Sequence, residues 1–227
     1  YPEDWQLLIE QVMEKSYPLA DGSGRRMMIK LTGCDSGGRA GVTTNAYNFW
    51  RWLRDSHPGG LHNRFQLVKG EPSKTAPPTR LGFPESDRKD RNSGARGDVP
   101  VFFINSTLMK DQIAGMLGRT EPGAGMIMYP TWSPDWLYTQ LTAEVRTAKG
   151  WEQAGHRRNE AFDLVYYAAA LIRHKTIGAL RSEWWSNPPS WAQDWDMNDL
   201  VFEEGKALPF TAPKKKFNLA ALADQLT

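Results

Sequence analysis

Between Ala161 and Ile172 the chain sets eleven apolar or aromatic residues around a single acid, Asp163. No Gly or Pro interrupts the run, and "RRNEAFDLVYYAAALIRH" predicts a helix over 159–174, running on toward 182. Earlier segments show the same kinds of pattern. Trp5, Leu8, Ile9, Val12 and Met13 recur at helical spacing over 5–16, and 17–24 reads as a Pro/Gly/Ser linker. "MMIKLTGC" (27–34) predicts a strand that ends at Asp35 in a Gly-rich turn. Thr43 or Thr44 then caps a helix over "NAYNFWRWLRDS", which "HPGG" stops. "RFQLVKG" (64–70), "VPVFFINS" (99–106) and "GMIMYP" (125–130) read as strands. "TLMKDQIAGMLGR" (107–119) reads as a helix, and so does "SPDWLYTQLTAEVR" (133–146), with Ser133 as N-cap and Pro134 in its first turn. Residues 71–98 are rich in Pro, Gly and charge and read as a mobile loop.

Strands alternating with helices place the chain in the α/β class. Three segments follow from the pattern: an N-terminal helix and linker (1–24), a main domain (25–182) and an extension (183–227) whose Trp, Pro and charged residues lack clear periodicity. Composition narrows the picture further. The 227 residues hold 28 Lys and Arg against 26 Asp and Glu, a net charge of +2, so only a local basic surface would draw nucleic acid. One cysteine, Cys34, rules out a disulfide framework or a Cys-based zinc site within the chain and fits a reducing compartment. No signal peptide and no apolar run of membrane-spanning length is expected. The chain begins at Tyr1 and reads as a piece of a longer protein.

An unpaired buried carboxylate is expensive, so Asp163 needs a compensating partner: a buried Lys or Arg, a proton, or a metal ion. Glu160, three residues earlier, shares its helix face. Asp35 sits where a strand meets "DSGG", at the kind of strand end that lines functional crevices in α/β proteins. A strand-end Asp with a helical Glu-x-x-Asp gives an oxygen-only donor set, which suits magnesium or manganese. Two such ions activate water and stabilise the leaving oxygen in phosphodiester hydrolysis. The plainer reading stands beside it: Asp163 pairs with Arg157 or Arg158, "DSGG" is a turn, and Glu160 complements the helix dipole.

Taken in order, "IKLTGCDSGGRAGVTTNAYNFWR", "FQLVKG", "LMKDQI", "LTAEV" and "RRNEAFDLVYYAAAL" resemble the nuclease domain of the phage terminase large subunit, of the lambda-like type, over about residues 25–175. The resemblance implies an RNase H-like α/β fold, a central mixed sheet flanked by helices, and a metal-dependent endonuclease that cuts concatemeric double-stranded DNA during genome packaging. It implies that Asp35, Glu160 and Asp163 are catalytic and bind Mg2+ or Mn2+, with two ions expected. Related terminases carry a further carboxylate at an inner strand end. Its matching place is "VKGEP", where Lys69 could meet a phosphate or developing charge and Glu71 could serve as ligand or as loop acid. Glu144 matches a recurrent acid and reads as structural, on a helix away from the others. Asp111 reads as a solvated helix residue.

The resemblance also implies partners: viral DNA, the terminase ATPase domain and small subunit, and the capsid portal, in the host cytoplasm, with no membrane. DNA contacts are expected from Arg39, Arg88, Lys89, Arg91, Arg96, Arg157 and Arg158, mostly to phosphates, with the lysines at 214–216 adding charge. The Trp-rich stretch 184–195 and "NLAALADQL" are candidate docking elements. "GEPSKT" and "EGKA" each lack part of a P-loop, so no ATP site is expected and the motor is placed outside this chain. His57 and His62 flank a Gly turn, and His156 stands just before the acid helix, where it reads as a solvated loop residue or a group positioning water or phosphate. Two other functions remain open: another RNase H-like nuclease, such as a resolvase or ribonuclease, or a non-catalytic docking module of a packaging motor whose acids form ion pairs.

Overall fold

The structure, a computed structural model, describes residues 4–38, 41–57, 59–71, 73, 75–84, 97–155, 157–178 and 183–205. The N-terminal stripe forms α1 (Asp4–Leu8) and continues as a π-helical turn over Ile9–Met13. β1 (Ser16–Pro18) and β2 (Arg25–Met28) follow, then β3 (Thr32–Asp35) and α2 (Val42–Asp55). β4 (Phe65–Gly70), β5 (Thr79–Gly82) and β6 (Val101–Ile104) lead into α3 (Ser106–Leu117) and α4 (Asp135–Leu141). β7 (Glu144–Thr147), β8 (Gly150–Gln153), α5 (Glu160–Leu171), α6 (Glu183–Ser186) and β9 (Val201–Glu203) complete the chain order.

The central sheet has the order β3-β4-β6-β5. β3 runs parallel to β4 from Thr32↔Phe65 to Asp35↔Val68, β4 runs parallel to β6, and β5 closes the far edge antiparallel to β6. This is the mixed sheet flanked by helices that the resemblance implied. Side-chain alternation sends successive residues to opposite faces. Phe65, Leu67 and Val101 pack with Ala46, Tyr47, Trp50 and Leu53 of α2, and Ile9 and Met13 of the N-terminal segment enter the same core. Val68, Phe102 and Ile104 face the other way, onto Met109 and Ile113 of α3 and Phe162, Tyr166 and Ala170 of α5. Each such large apolar side chain contributes about 1.5–3 kcal/mol by leaving water. Gly33 lets α5 approach β3 closely: a Cβ there would stand 2.6 Å from Leu171 Cδ1.

Several local expectations change. The predicted strand over 27–34 splits into β2 and β3, which belong to different sheets. The Arg64 guanidinium holds the break by donating to the carbonyls of Ile29 and Met13. The helix expected over 133–146 stops at Leu141, and the following residues form the antiparallel hairpin β7–β8, turned by Thr147 and by Gly150 at φ 131°. No strand forms at 125–130, where Gly125 takes positive φ and Met128 is exposed. Part of the expected loop is ordered instead as β5, which takes the sheet edge beside β6. Gly41, not a threonine, caps α2; Thr43 Oγ1 donates to the Ser36 carbonyl. Residues 183–205 of the C-terminal extension return to the domain, since β9 pairs with β2 opposite β1 in a small antiparallel sheet. Among the described residues no helix is long and apolar enough to cross a membrane.

Candidate active site

Asp35 ends β3 on the face turned toward α5. Its Oδ1 accepts the Gly37 N–H at 2.7 Å, which fixes the turn after the strand, and its Oδ2 accepts the Tyr167 hydroxyl at 3.0 Å. Tyr167 is one helical turn beyond Asp163, so the strand-end acid and the helix acids lie along the same side of α5. Burial pushes the Tyr167 phenol far above its ordinary range, and Tyr166 and Asp35 add to the shift. It therefore stays a hydrogen-bond donor at any working pH.

The start of α5 is built unusually. Asn159 occupies the N-cap but makes no side-chain cap. Gln140 of α4 takes over that task, with Oε1 accepting the Ala161 N–H at 3.0 Å. The Asn159 oxygen, spared from capping, accepts from Gln153, and its amide nitrogen donates to Asp163 Oδ2 at 3.2 Å and to Glu144 Oε1. Glu160 is exposed at the same helix end.

Asp163 has a cationic partner that sequence reading missed. Lys110 Nζ stands 2.7 Å from Asp163 Oδ1 and donates to Glu144 Oε1 and Oε2 at 2.7 and 2.8 Å. Lys110 is only 8% exposed, and the Glu144 side chain only 4%. Asp163 Oδ1 is shut off from solvent; its contact with Lys110 is an ion pair without hydrogen-bond alignment. Burial raises the Asp163 pKa, and Lys110 offsets part of that rise. For Lys110, burial works against the charge, yet Asp163 and Glu144 outweigh it and the pKa is raised, so the ammonium is kept. Glu144, expected on a helix away from the site, instead opens β7 and joins it. A signal for Lys110 did exist: it shares the apolar face of α3 with Met109, Ile113 and Leu117, as Asp163 does on α5.

The remaining candidates lie elsewhere. Lys69 falls on the α2 side of the sheet, two residues after Leu67 and opposite Phe103. Glu71 accepts from Arg80 Nε at 2.7 Å, and that guanidinium stacks on Phe103. Asp111 is not merely solvated, since it accepts from Arg146 and from Trp151 Nε1. His62 and His57 pack edge-on against Trp50 and Trp52. Arg157 and Arg158 are exposed just before α5. Arg39, Arg88, Lys89, Arg91, Arg96, His156, the lysines at 214–216 and the "NLAALADQL" segment lie outside the described residues, as do the side chains of Trp184 and Trp185.

Chemically, Glu160 and Asp163 offer hard oxygen donors with no sulfur or imidazole among them, the donor type magnesium and manganese prefer. Among the described residues, no three His, Cys, Asp or Glu come together closely enough to hold a metal ion. Asp35 stands nearby along α5 and does not complete such a cluster. No curated protein and no solved structure matches the chain. A family model described as terminase large subunit gpA, endonuclease domain, matches residues 1–184, most of the chain. With a mixed α/β architecture consistent with a nuclease of RNase H-like type, the chain belongs to that family of terminase endonuclease domains.

Proposed function

We propose that the chain is a divalent-metal-dependent endonuclease domain that cuts concatemeric double-stranded viral DNA during genome packaging. The observation that carries this reading is the placement of Asp163: a half-buried carboxylate in an apolar helix, beside Glu160, with Asp35 tied to the same helix by Tyr167. Asp163 and Glu160 would hold Mg2+ or Mn2+, with Asp35 as the acid on the facing strand end. The bound ions, two in the full reading, would supply charge to activate a water and to stabilise the leaving oxygen of a phosphodiester.

The chain's own residues prepare that site. Tyr167 and the Gly37 N–H fix the Asp35 carboxylate, and Asn159 and Lys110 fix that of Asp163. Arg157 and Arg158, exposed at the start of α5, would approach DNA phosphates. Arg39 and the basic residues at 88–96 would extend that contact. The near-neutral net charge fits a domain whose DNA is held mainly by the rest of a packaging complex: its ATPase domain, the small subunit and the portal, in the host cytoplasm.

Cleavage of supercoiled plasmid with Mn2+, Mg2+ or EDTA, alongside Asp163→Asn, tests the reading. Nicking that needs metal and disappears in the variant supports it. Cleavage that persists in EDTA or in Asp163→Asn overturns it. The Lys110 ion pair favours one second reading, a docking module in which these acids serve only as ion-pair partners. In that case the wild-type chain neither cleaves nor binds Mn2+, and Asp163→Asn changes only stability.

A further inference from the structure

Lys110 is held more firmly by Glu144 than by Asp163. Glu144 receives hydrogen bonds from the ammonium on both oxygens, and its side chain is almost wholly buried. Were the ammonium to leave, a buried carboxylate would keep, among the described residues, only the Asn159 amide, which is a costly state. The rings of Phe162 and Tyr166, on either side of Asp163 in α5, lie 5.3 and 5.1 Å from Nζ and enclose it further. A small cation arriving at Asp163 therefore meets a lysine that is fixed in place and does not yield. Lys110 occupies Oδ1, the oxygen shut off from solvent. Among the described residues, Oδ2 carries only the hydrogen bond from Asn159 at 3.2 Å.

From this geometry we infer that Lys110, anchored by Glu144, is a positioning residue of the site. It immobilises the Asp163 carboxylate by one oxygen, so that Oδ2 alone is presented to a divalent cation. The inference rests on the proposed role of Asp163 and adds to it the residues that set its orientation. Neither Lys110 nor Glu144 touches substrate in this arrangement; both act through Asp163.

Mn2+ binding to the full chain, measured by calorimetry, separates the possibilities without relying on turnover. Asp163→Asn serves as the reference for loss of the site. Lys110→Met keeps the aliphatic stem and removes the ammonium, and thermal unfolding checks that it folds. We expect Lys110→Met to weaken Mn2+ binding by about 10- to 100-fold at unchanged stoichiometry, the usual consequence of removing a group that orients a metal ligand. Glu144→Gln, which keeps the shape of the anchor but not its charge, should weaken binding in the same direction and carries the test if Lys110→Met fails to fold. Unchanged Mn2+ affinity in the folded variant would make Lys110 a purely structural cation and overturn the inference. Tighter binding, or an additional ion bound, would show Lys110 competing with metal and would overturn it as well. A wild-type chain that binds Mn2+ no better than Asp163→Asn removes the metal reading and this inference together. Binding lost in Asp163→Asn yet intact in Lys110→Met removes this inference alone.

Discussion

The Tyr167 hydroxyl donates to Asp35 Oδ2 at 3.0 Å and joins the end of β3 to the middle of α5. This single bond sets the strand acid against the helix that carries the other two acids. Tyr167→Phe should leave the fold intact and lower thermal stability by about 0.5–1.5 kcal/mol, toward the small end because the pair is partly solvated. Left with the Gly37 N–H on its other oxygen, Asp35 should lose part of its orientation, and metal-dependent cleavage should fall by up to about 100-fold. Wild-type turnover in Tyr167→Phe would show that the bond has no part in the site.

Asp35→Asn and Asp163→Asn should each abolish plasmid nicking while circular dichroism shows a folded chain. Glu160→Gln should instead raise the Mn2+ concentration needed for half-maximal cleavage, since Glu160 is exposed and one of several donors. Substantial cleavage by either Asp variant would place the chemistry elsewhere.

His174 provides a pH dependence far from the metal question. It is buried; Nδ1 accepts the Thr176 N–H, so Nε2 carries the proton and donates to Gln66 Oε1 at 3.1 Å. Burial lowers its pKa from the ordinary 6.5, with Lys175 adding a little. The unfolded chain therefore takes up a proton before the native one does. The stability that neutral His174 supplies is full above pH 6.5 and declines as the pH falls through that value toward the depressed native pKa. Urea unfolding at a series of pH values should show this slope in wild type and lose it in His174→Gln. Equal slopes in the two proteins would assign the pH dependence to other groups.

Phe162 carries both packing and placement. The residue is 2% exposed, its ring meets Trp151 edge-on, and it lies beside the Lys110 ammonium. Phe162→Ala should cost about 3–5 kcal/mol in urea unfolding, the range for truncating a buried aromatic. A loss under about 1 kcal/mol would mean the site collapses readily around the gap.

Local pattern was enough to recognise the class and much of the element order. Short apolar runs marked β4 and β6, which are covered on both faces, and helical stripes marked α2, α3 and α5, which each bury one face against that sheet. The acid of Asp163 stood out for the same reason: a charge within an apolar stripe breaks a period of 3.6. What pattern misread were segments whose state depends on a distant partner. Residues 144–147 have no strong local preference and become β7 only because β8 is there to pair with them. Residues 79–82 become β5 because β6 offers an open edge. The break between β2 and β3 needs the carbonyl contacts of Arg64, thirty-five positions from Ile29.

The sequence by itself determined that a carboxylate sits in an apolar helix and therefore must have a partner, since burial makes an isolated charge untenable. Only the tertiary structure decided which partner it has. Lys110 is a stripe-breaking charge of its own on α3, and packing α3 against α5 brings the two together with Glu144 between β7 and the helices. Electrostatic compensation acts across space over a few ångströms, and such neighbours, 53 positions apart for Lys110 and Asp163, leave no mark in local spacing.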